Sequence, residues 1–441
     1  MSKIAVVGMG QGGMVAAIRL AKAGHAVSVY ERESRDRVGY SWRDDIRADI
    51  FGLCDLPMPS EEIYVQKSKW VFVSPNEKHR LPVPPCPPME EISIDRHGLC
   101  GYFAELAQAA GCKLNFGVCI DRLVIKDEKV CGIVAEGAET AFDLVIDASG
   151  MRSSLRAQLP KKFGVQVQPA DDGVLYGYRA FYKRVEGAYT VEKDINSTMI
   201  LKHLGEAGIS WCNLNDVGEV DVLIGRIGKL DDKEIARSLA DLKAYNPILS
   251  DELISARRVD ICLRASIARA VADGYVTVGD SAFMTMPLMG SGIESSMKAG
   301  KLLADYITDK KITAFSAPNL WGFYVEYMQK LGGDFAFIDV LKRWALGLNP
   351  KCIDWVFGSG VITADDLAMV STESGGKLKI RAKTVFMILA HPVFLCSALK
   401  CVLRGLKASK CAKKVPSKYN EKRLAKWQKK YDRLIGNVCA K

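Results

Sequence analysis

Thirteen cysteines are scattered through the 441 residues, yet no two form a Cys-x-x-Cys pair and none stands in a metal-ligand spacing. That pattern excludes a zinc-ribbon or dithiol redox reading and gives no disulfide framework. The thiols are expected to be mostly small buried hydrophobes in a reducing cytoplasm, and no metal centre is expected. Histidine is scarce at five residues, of which only His97 and His203 lie near segments with other signals. A lone histidine is ordinarily structural, so no catalytic acid or base is picked from the sequence. A bilayer-spanning run is also missing: residues 384–399 are uncharged over 16 positions, but His391-Pro392 breaks them in the middle, and a span needs about 20 apolar residues. The chain opens almost directly on an apolar strand, so no secretory leader is expected.

What is present starts with Lys3-Ile4-Ala5-Val6-Val7, a short apolar run that reads as a buried parallel strand, followed by Gly8-Met9-Gly10-Gln11-Gly12-Gly13 and a helical pattern from Met14 to Lys22. Gly8 suits a tight turn, Gly10 close backbone approach to a pyrophosphate, and Gly13 close packing of helix on strand. The helix N-terminus offers free N–H groups to phosphates. A second strand, Ala26-Val27-Ser28-Val29-Tyr30, ends in Glu31, 23 residues after Gly8. A carboxylate there accepts from adenosine ribose hydroxyls and repels a 2′-phosphate, which disfavours NADP. The fingerprint alone does not separate FAD from NAD.

A late segment does. Gly274-Tyr275-Val276-Thr277-Val278 reads as another strand, Gly279-Asp280 closes it, and Gly290, Gly292 and Ile293 open a helix through Met297, Ala299 and Leu303. Asp280 is placed either to accept from a ribityl hydroxyl or to cap that helix. The glycine-rich helix start can present N–H groups and a positive dipole end to the pyrimidine side of a flavin. The expected cofactor is FAD.

These residues resemble the glutathione-reductase-like FAD oxidoreductases, the superfamily that includes aromatic hydroxylases, halogenases and geranylgeranyl reductases. Asp143-Leu144-Val145-Ile146-Asp147-Ala148-Ser149-Gly150, with Ser153 and Arg156, is similar to the mid-chain strand and turn of that group, and the likeness covers roughly residues 1–305. Gly290-Ser291-Gly292-Ile293 followed by Met297-Lys298-Ala299-Gly300 is more similar to the geranylgeranyl reductase branch than to the hydroxylases, as is Ser210-Trp211. The chain departs from that branch in two places. Cys212-Asn213-Leu214-Asn215 follows Trp211 where a Phe-Pro is expected, and the Pro-x-x-Cys-Gly element is missing, with Cys54 the nearest candidate. No halogenase Trp-x-Trp-x-Ile-Pro run is present. The resemblance implies that Arg96, at a helix start, approaches the FAD; the alternative is a surface arginine.

The expected fold class is α/β (α+β): a Rossmann-like FAD-binding domain with a parallel sheet, an inserted antiparallel-sheet substrate domain and a helical C-terminal region. The expected division is 1–60, 95–165 and 261–310 for the FAD-binding domain, 61–94 and 166–260 for the substrate domain, and 311–441 for the helical region with its basic tail. Residues 81–88 are proline-rich and are expected to be an extended connection. Tyr176, Tyr178, Phe181 and Trp211 are candidate pocket lining, and each is equally at home in an ordinary half-buried strand.

The formal net charge is +10, but residues 400–433 hold thirteen lysines or arginines against Glu421 and Asp432, so the rest of the chain sums to about −1. An apolar stretch beside a basic one, with Trp427 and Tyr431 interleaved, suits the anionic inner face of a membrane. A solvated helix is the plain alternative, and nucleic acid is disfavoured because no nucleic-acid-binding motif accompanies the charge. Three functions stay open. The first is an FAD-dependent reductase of carbon–carbon double bonds in a small apolar, isoprenoid-like substrate, which the resemblance implies. The second is an FAD monooxygenase acting through a flavin C4a-hydroperoxide. The third is a redox-neutral or non-catalytic flavoprotein. No second nucleotide-binding fold is visible, so electrons would come from transiently bound NAD(P)H or from a ferredoxin.

Overall fold

The computed structural model describes residues 1–83, 90–190, 197–288, 290, 292–371 and 391–436. Most of the proline-rich connection and residues 384–390 of the uncharged run lie outside them. A six-stranded sheet forms the centre, in the order β18 (Val271–Ala272), β19 (Tyr275–Thr277), β12 (Leu144–Asp147), β1 (Lys3–Val7), β2 (Ala26–Glu31) and β8 (Lys113–Phe116). Its pairings are parallel except between β18 and β19. β1 and β12 are continuous apolar runs because both faces of a parallel sheet are covered. Against this sheet lies α1 (Gln11–Lys22), flanked by α3 (Arg96–Ala109) and α6 (Ile293–Asp309). The strands come from three separate stretches of chain, and the long-range β1–β12 and β12–β19 pairings tie those stretches together.

The second sheet has seven strands in the order β17 (Leu249–Cys262), β13 (Val174–Arg184), β16 (Val220–Ile227), β15 (Gly208–Leu214), β14 (Ser197–Leu201), β5 (Trp70–Val73) and β6 (Arg80–Pro82). All its pairings are antiparallel except β14 with β5. β13 alternates cleanly. Tyr176, Tyr178, Ala180 and Tyr182 pack into a core that includes Ile235, Leu239 and Leu242 of α5 (Asp232–Tyr245), while Arg179 and Phe181 point the other way. Between the two large sheets, β3 (Arg43–Arg47), β7 (Glu91–Asp95) and β4 (Tyr64–Gln66) form a small antiparallel sheet. Residues 61–94 therefore serve two sheets rather than one. A meander of β9 (Ile120–Lys126), β10 (Lys129–Ala135) and β11 (Ala138–Ala141), with the single-turn helices α2 (Ile50–Leu53) and α4 (Ser154–Ala157), completes this part.

The C-terminal region is helical: α7 (Ala317–Tyr327), a π-helical turn (Met328–Gly332), α8 (Gly333–Gly347), α9 (Pro350–Ser359), α10 (Ala364–Ser371), α11 (Pro392–Lys413) and α12 (Glu421–Ile435). Buried polar contacts lock it to the rest. Asp339 of α8, fully buried, accepts from the Ala265 N–H at 3.0 Å and pairs with Lys342 at 2.9 Å and Arg343 at 3.0 Å. The Tyr431 hydroxyl donates to the Ser266 carbonyl at 3.1 Å, and Arg269 pairs with Glu421 at 2.6 Å. Trp427 and Tyr431 correct the reading of the tail. They stack with centroids 5.3 Å apart, are buried, and point into the protein, because the period of α12 puts Leu424, Trp427, Tyr431 and Ile435 on its inner face. Its lysines and arginines face outward.

Candidate functional site

Gly8 leaves β1 at φ +90°, and a Cβ there would lie 2.6 Å from the Ala148 carbonyl oxygen, so only glycine makes this turn. A Cβ on Gly13 would meet the Ala148 side chain at 2.5 Å and Val6 at 3.0 Å, which is the close helix-on-strand packing read from the motif. Gly12 serves a different contact: its Cβ would lie 2.6 Å from the Ser296 carbonyl of α6. Gly10 caps α1 with no side-chain hydrogen bond, leaving the first-turn N–H groups without a side-chain acceptor. A Cβ on Gly10 would also reach the Ala148 carbonyl, at 2.9 Å, so protein backbone constrains this position as well as any ligand. Glu31 ends β2 and is held at the loop. Its carboxylate accepts from the Met9 N–H at 2.9 Å and the Glu33 N–H at 3.0 Å.

The late motif arrives beside the first. Asp280 follows β19 in the 3₁₀ turn Gly279–Ala282 and accepts from the Thr285 hydroxyl. It does not cap α6: the cap position is Gly292, which makes no side-chain hydrogen bond. Gly290 adopts φ +71°. Where α1 and α6 cross, a Cβ on Gly300 would sit 2.0 Å from the Gly12 carbonyl oxygen, so each helix contributes a glycine to one backbone contact. The result is two helix N-termini, each led by a glycine that offers no capping side chain, opening on the same space. Gln11, Gly290, Gly292, Ile293 and Asp280 all line a cavity of about 520 Å³ whose roof is the seven-stranded sheet.

Phe181 and Trp211 line that cavity with Phe72, Met199, Val259 and Ile261. Tyr176 and Tyr178 do not, and this corrects the pocket expectation. Residues two apart on a strand share a face, so the parity that brings Phe181 to the cavity sends both tyrosines to the α5 side. The same parity delivers Arg179, a residue the sequence reading passed over. Its guanidinium is 11% exposed and pairs with Asp221 at 2.8 Å and Asp44 at 3.2 Å. It is enclosed by the rings of Trp42 at 4.7 Å, Trp211 at 5.5 Å and Phe181 at 5.8 Å. A charged residue at the centre of an alternating strand was the available signal.

Two further groups complete the lining. Arg96 starts α3, pairs with Asp44 at 2.6 Å and lies over the Tyr40 ring at 5.3 Å, while its buried Nε has no partner. Asp45 accepts from the Trp70 indole N–H at 3.0 Å and from the Ser93 hydroxyl. Burial pushes the Asp45 carboxyl above the usual carboxylate range, against the opposing pull of Lys67. Asp45 follows Asp44 directly in the strand Arg43-Asp44-Asp45-Ile46-Arg47, and sequence alone does not say which neighbour is buried.

Other singled-out residues lie elsewhere. Cys54 is fully buried outside the cavity lining, and burial pushes its thiol up to about 11. His97 contacts the Val38 carbonyl at 2.8 Å. His203 is buried between the Ser210 hydroxyl at 3.0 Å and Asp241 at 2.9 Å. With Glu77, His203 and Asp241 form a group whose ligand-type atoms lie within 4.8 Å of one another, although both ring nitrogens of His203 already have protein partners. Arg156, fully buried, donates to the Met151 carbonyl at 2.8 Å and to the Ser281 carbonyl, which ties the mid-chain turn to the late one.

The donor set fits FAD. Two helix ends led by glycine, a carboxylate held at the end of β2 and a buried Arg96 Nε with no partner among the described residues suit a dinucleotide with a flavin head. Gly8, Gly10, Gly12, Gly13 and Glu31 would hold its adenosine diphosphate part, and Arg96, Asp280, Gly290, Gly292 and Ile293 its flavin part.

No protein-family model matches the chain. It is similar to the digeranylgeranylglycerophospholipid reductase of Sulfolobus acidocaldarius, with 24% identity over 298 residues that span 65% of this chain and 65% of that one, just under two thirds of its length. Among solved structures, a geranylgeranyl bacteriochlorophyll reductase-like protein of Thermoplasma acidophilum superposes with a TM-score of 0.71 at 18% identity, covering 91% of this chain and 99% of its own. CtdE, solved with FAD and a substrate, superposes with a TM-score of 0.59 at 16% identity, covering 83% of this chain and 96% of its own. Sequence relatives and fold agree with the geometry: the chain resembles the geranylgeranyl reductase-like FAD oxidoreductases.

Proposed function

We propose that the chain reduces carbon–carbon double bonds of a small apolar, isoprenoid-like substrate. The observation that carries this reading is the composition of the cavity. Phe72, Met199, Trp211, Val259 and Ile261 offer apolar contact beside charged pairs such as Arg43–Asp216, Lys67–Glu91 and Arg96–Asp44, and one lining carboxyl, Asp45, is raised by burial. When bound, reduced FAD supplies a hydride to carbon. Asp45 holds the proton for the neighbouring carbon, and Trp70 and Ser93 fix its orientation. The apolar side chains align the alkene and exclude water. Arg179 positions Trp42 and Trp211 as a wall, and with Arg96 it balances Asp44 and Asp221, so the cluster carries no net charge into the site. Electrons come from NAD(P)H or a ferredoxin engaged transiently, and the enzyme works at the inner face of the membrane that holds its substrate.

The test is anaerobic stopped-flow reoxidation of the reduced holoenzyme. A prenyl lipid that reoxidises the flavin without oxygen supports reduction. Reoxidation only by oxygen, with the lipid acquiring an oxygen atom, makes the enzyme a monooxygenase instead.

A further inference from the structure

We propose that the outward face of α11 is a docking surface for an anionic lipid bilayer, which the helix lies upon and does not cross. The helix is built inside out. The residues it buries are small, namely Cys401, Gly405, Ala408, Cys411 and Ala412, and the large apolar ones face solvent. Val393 is 84% exposed, Leu399 53%, Val402 40%, Leu403 55% and Leu406 55%. These are five of the fourteen large hydrophobic side chains exposed among the described residues, all on one helix. Positions 399, 402, 403 and 406 share one stripe at helical spacing. Scattered exposed leucines need no explanation, but a contiguous stripe of them does.

The small buried face explains why the stripe cannot turn inward. Gly405 packs so closely on the Phe337 ring that an added Cβ would lie 2.7 Å from it. The Trp344 indole donates to the Ser397 hydroxyl at 2.7 Å, and Arg404 reaches the Leu434 carbonyl of α12 at 3.0 Å. With these contacts made, the rotation of α11 is fixed and its leucines stay out.

Charge identifies the occupant. Lys400, Lys407 and Lys410 are exposed on the same helix, and α12 packed beside it exposes Lys422, Lys426, Lys429 and Arg433. None of the seven is ion-paired among the described residues. A second copy of the chain would bring the same positive charge against itself, and a nucleic acid would leave the leucine stripe in water. An anionic membrane satisfies both, with leucines entering the acyl boundary and lysines meeting headgroups. No described helix is long and apolar enough to span a bilayer. Trp427 and Tyr431 are turned inward, so leucine rather than aromatic side chains must supply the insertion. The surface stands on its own features whatever the substrate.

The experiment uses the full chain loaded with FAD, sedimented with phosphatidylcholine vesicles containing about one third phosphatidylglycerol. The wild type pellets with them, and L403E/L406E lowers the partition coefficient about tenfold or more. Flavin spectrum and melting temperature stay unchanged because both side chains are exposed. If the glutamates disturb folding, L403S/L406S gives the same comparison at smaller amplitude. The proposal falls if the leucine variants pellet like the wild type. It also falls if they instead convert a dimer to monomer, or if the protein ignores vesicles and binds duplex DNA with the leucines irrelevant. Loss of vesicle binding with turnover of a detergent-solubilised lipid retained separates this surface from the catalytic reading.

Discussion

Asp45 is where the catalytic account rests on a single side chain. Replacement by asparagine preserves the Trp70 contact and removes the proton, so turnover should fall about a hundredfold or more with flavin content unchanged. The pH profile carries a second signature. A carboxyl raised by burial keeps its proton to higher pH, so wild-type activity declines as pH rises through that elevated pKa. The D45N variant lacks this limb, and a parallel decline in both proteins would remove Asp45 from the mechanism. Glu31 is tested by Glu31→Gln. The amide oxygen still accepts from one of the two loop N–H groups, and FAD should bind about tenfold more loosely by fluorescence titration. At this scale the glycine turns and the carboxylate that ends β2 were legible because such patterns have few other uses. Arg179 and Asp45 were not, since their roles depend on which strand face meets which neighbour, and Tyr176 and Tyr178 were assigned to the cavity without applying the two-residue period.

Between elements, the crossing of α1 and α6 is the contact that brings the two glycine motifs to one cavity. It depends on Gly12 and Gly300, where the added Cβ distance of 2.0 Å to a carbonyl oxygen leaves no slack. Gly300→Ala must therefore displace α6, costing about 1–3 kcal/mol and releasing FAD on gel filtration. A variant that melts like the wild type and stays yellow would show that the helices can part without consequence. Gly10→Val is less informative, because its collision with Ala148 unfolds the turn whether or not a pyrophosphate is near. The sequence read both helices and their strands correctly, since buried parallel strands and glycine caps are local patterns. It could not show that residues 61–94 divide between two sheets, because β5 finds its partner β14 more than a hundred residues away and carries β6 with it.

Across the whole molecule, the helical C-terminal region is held to the flavin fold through Asp339. Burial alone would raise that carboxyl, but Lys342 and Arg343 together hold it below the usual range, and Ala265 donates to it from the stretch leading to β18. Asp339→Ala leaves a buried ammonium without its partner and should cost about 3–5 kcal/mol by denaturant melts. A lowered folded-state pKa contributes stability above the unfolded value near 4, and that contribution is lost as pH falls through the folded value. The wild type therefore loses stability on acidification in a step that D339N lacks. The basic tail was legible as charge, whereas its two faces were not: composition placed Trp427 and Tyr431 among the lysines, and only helical packing turned them inward and the α11 leucines outward. Holoenzyme reduced with dithionite should be incubated with a polyunsaturated prenyl lipid under strict exclusion of oxygen, and the lipid then analysed by mass spectrometry. The expected product carries two added hydrogens per double bond and no oxygen. An unchanged lipid, converted to an oxygenated one only when air is admitted, would contradict the proposed reduction.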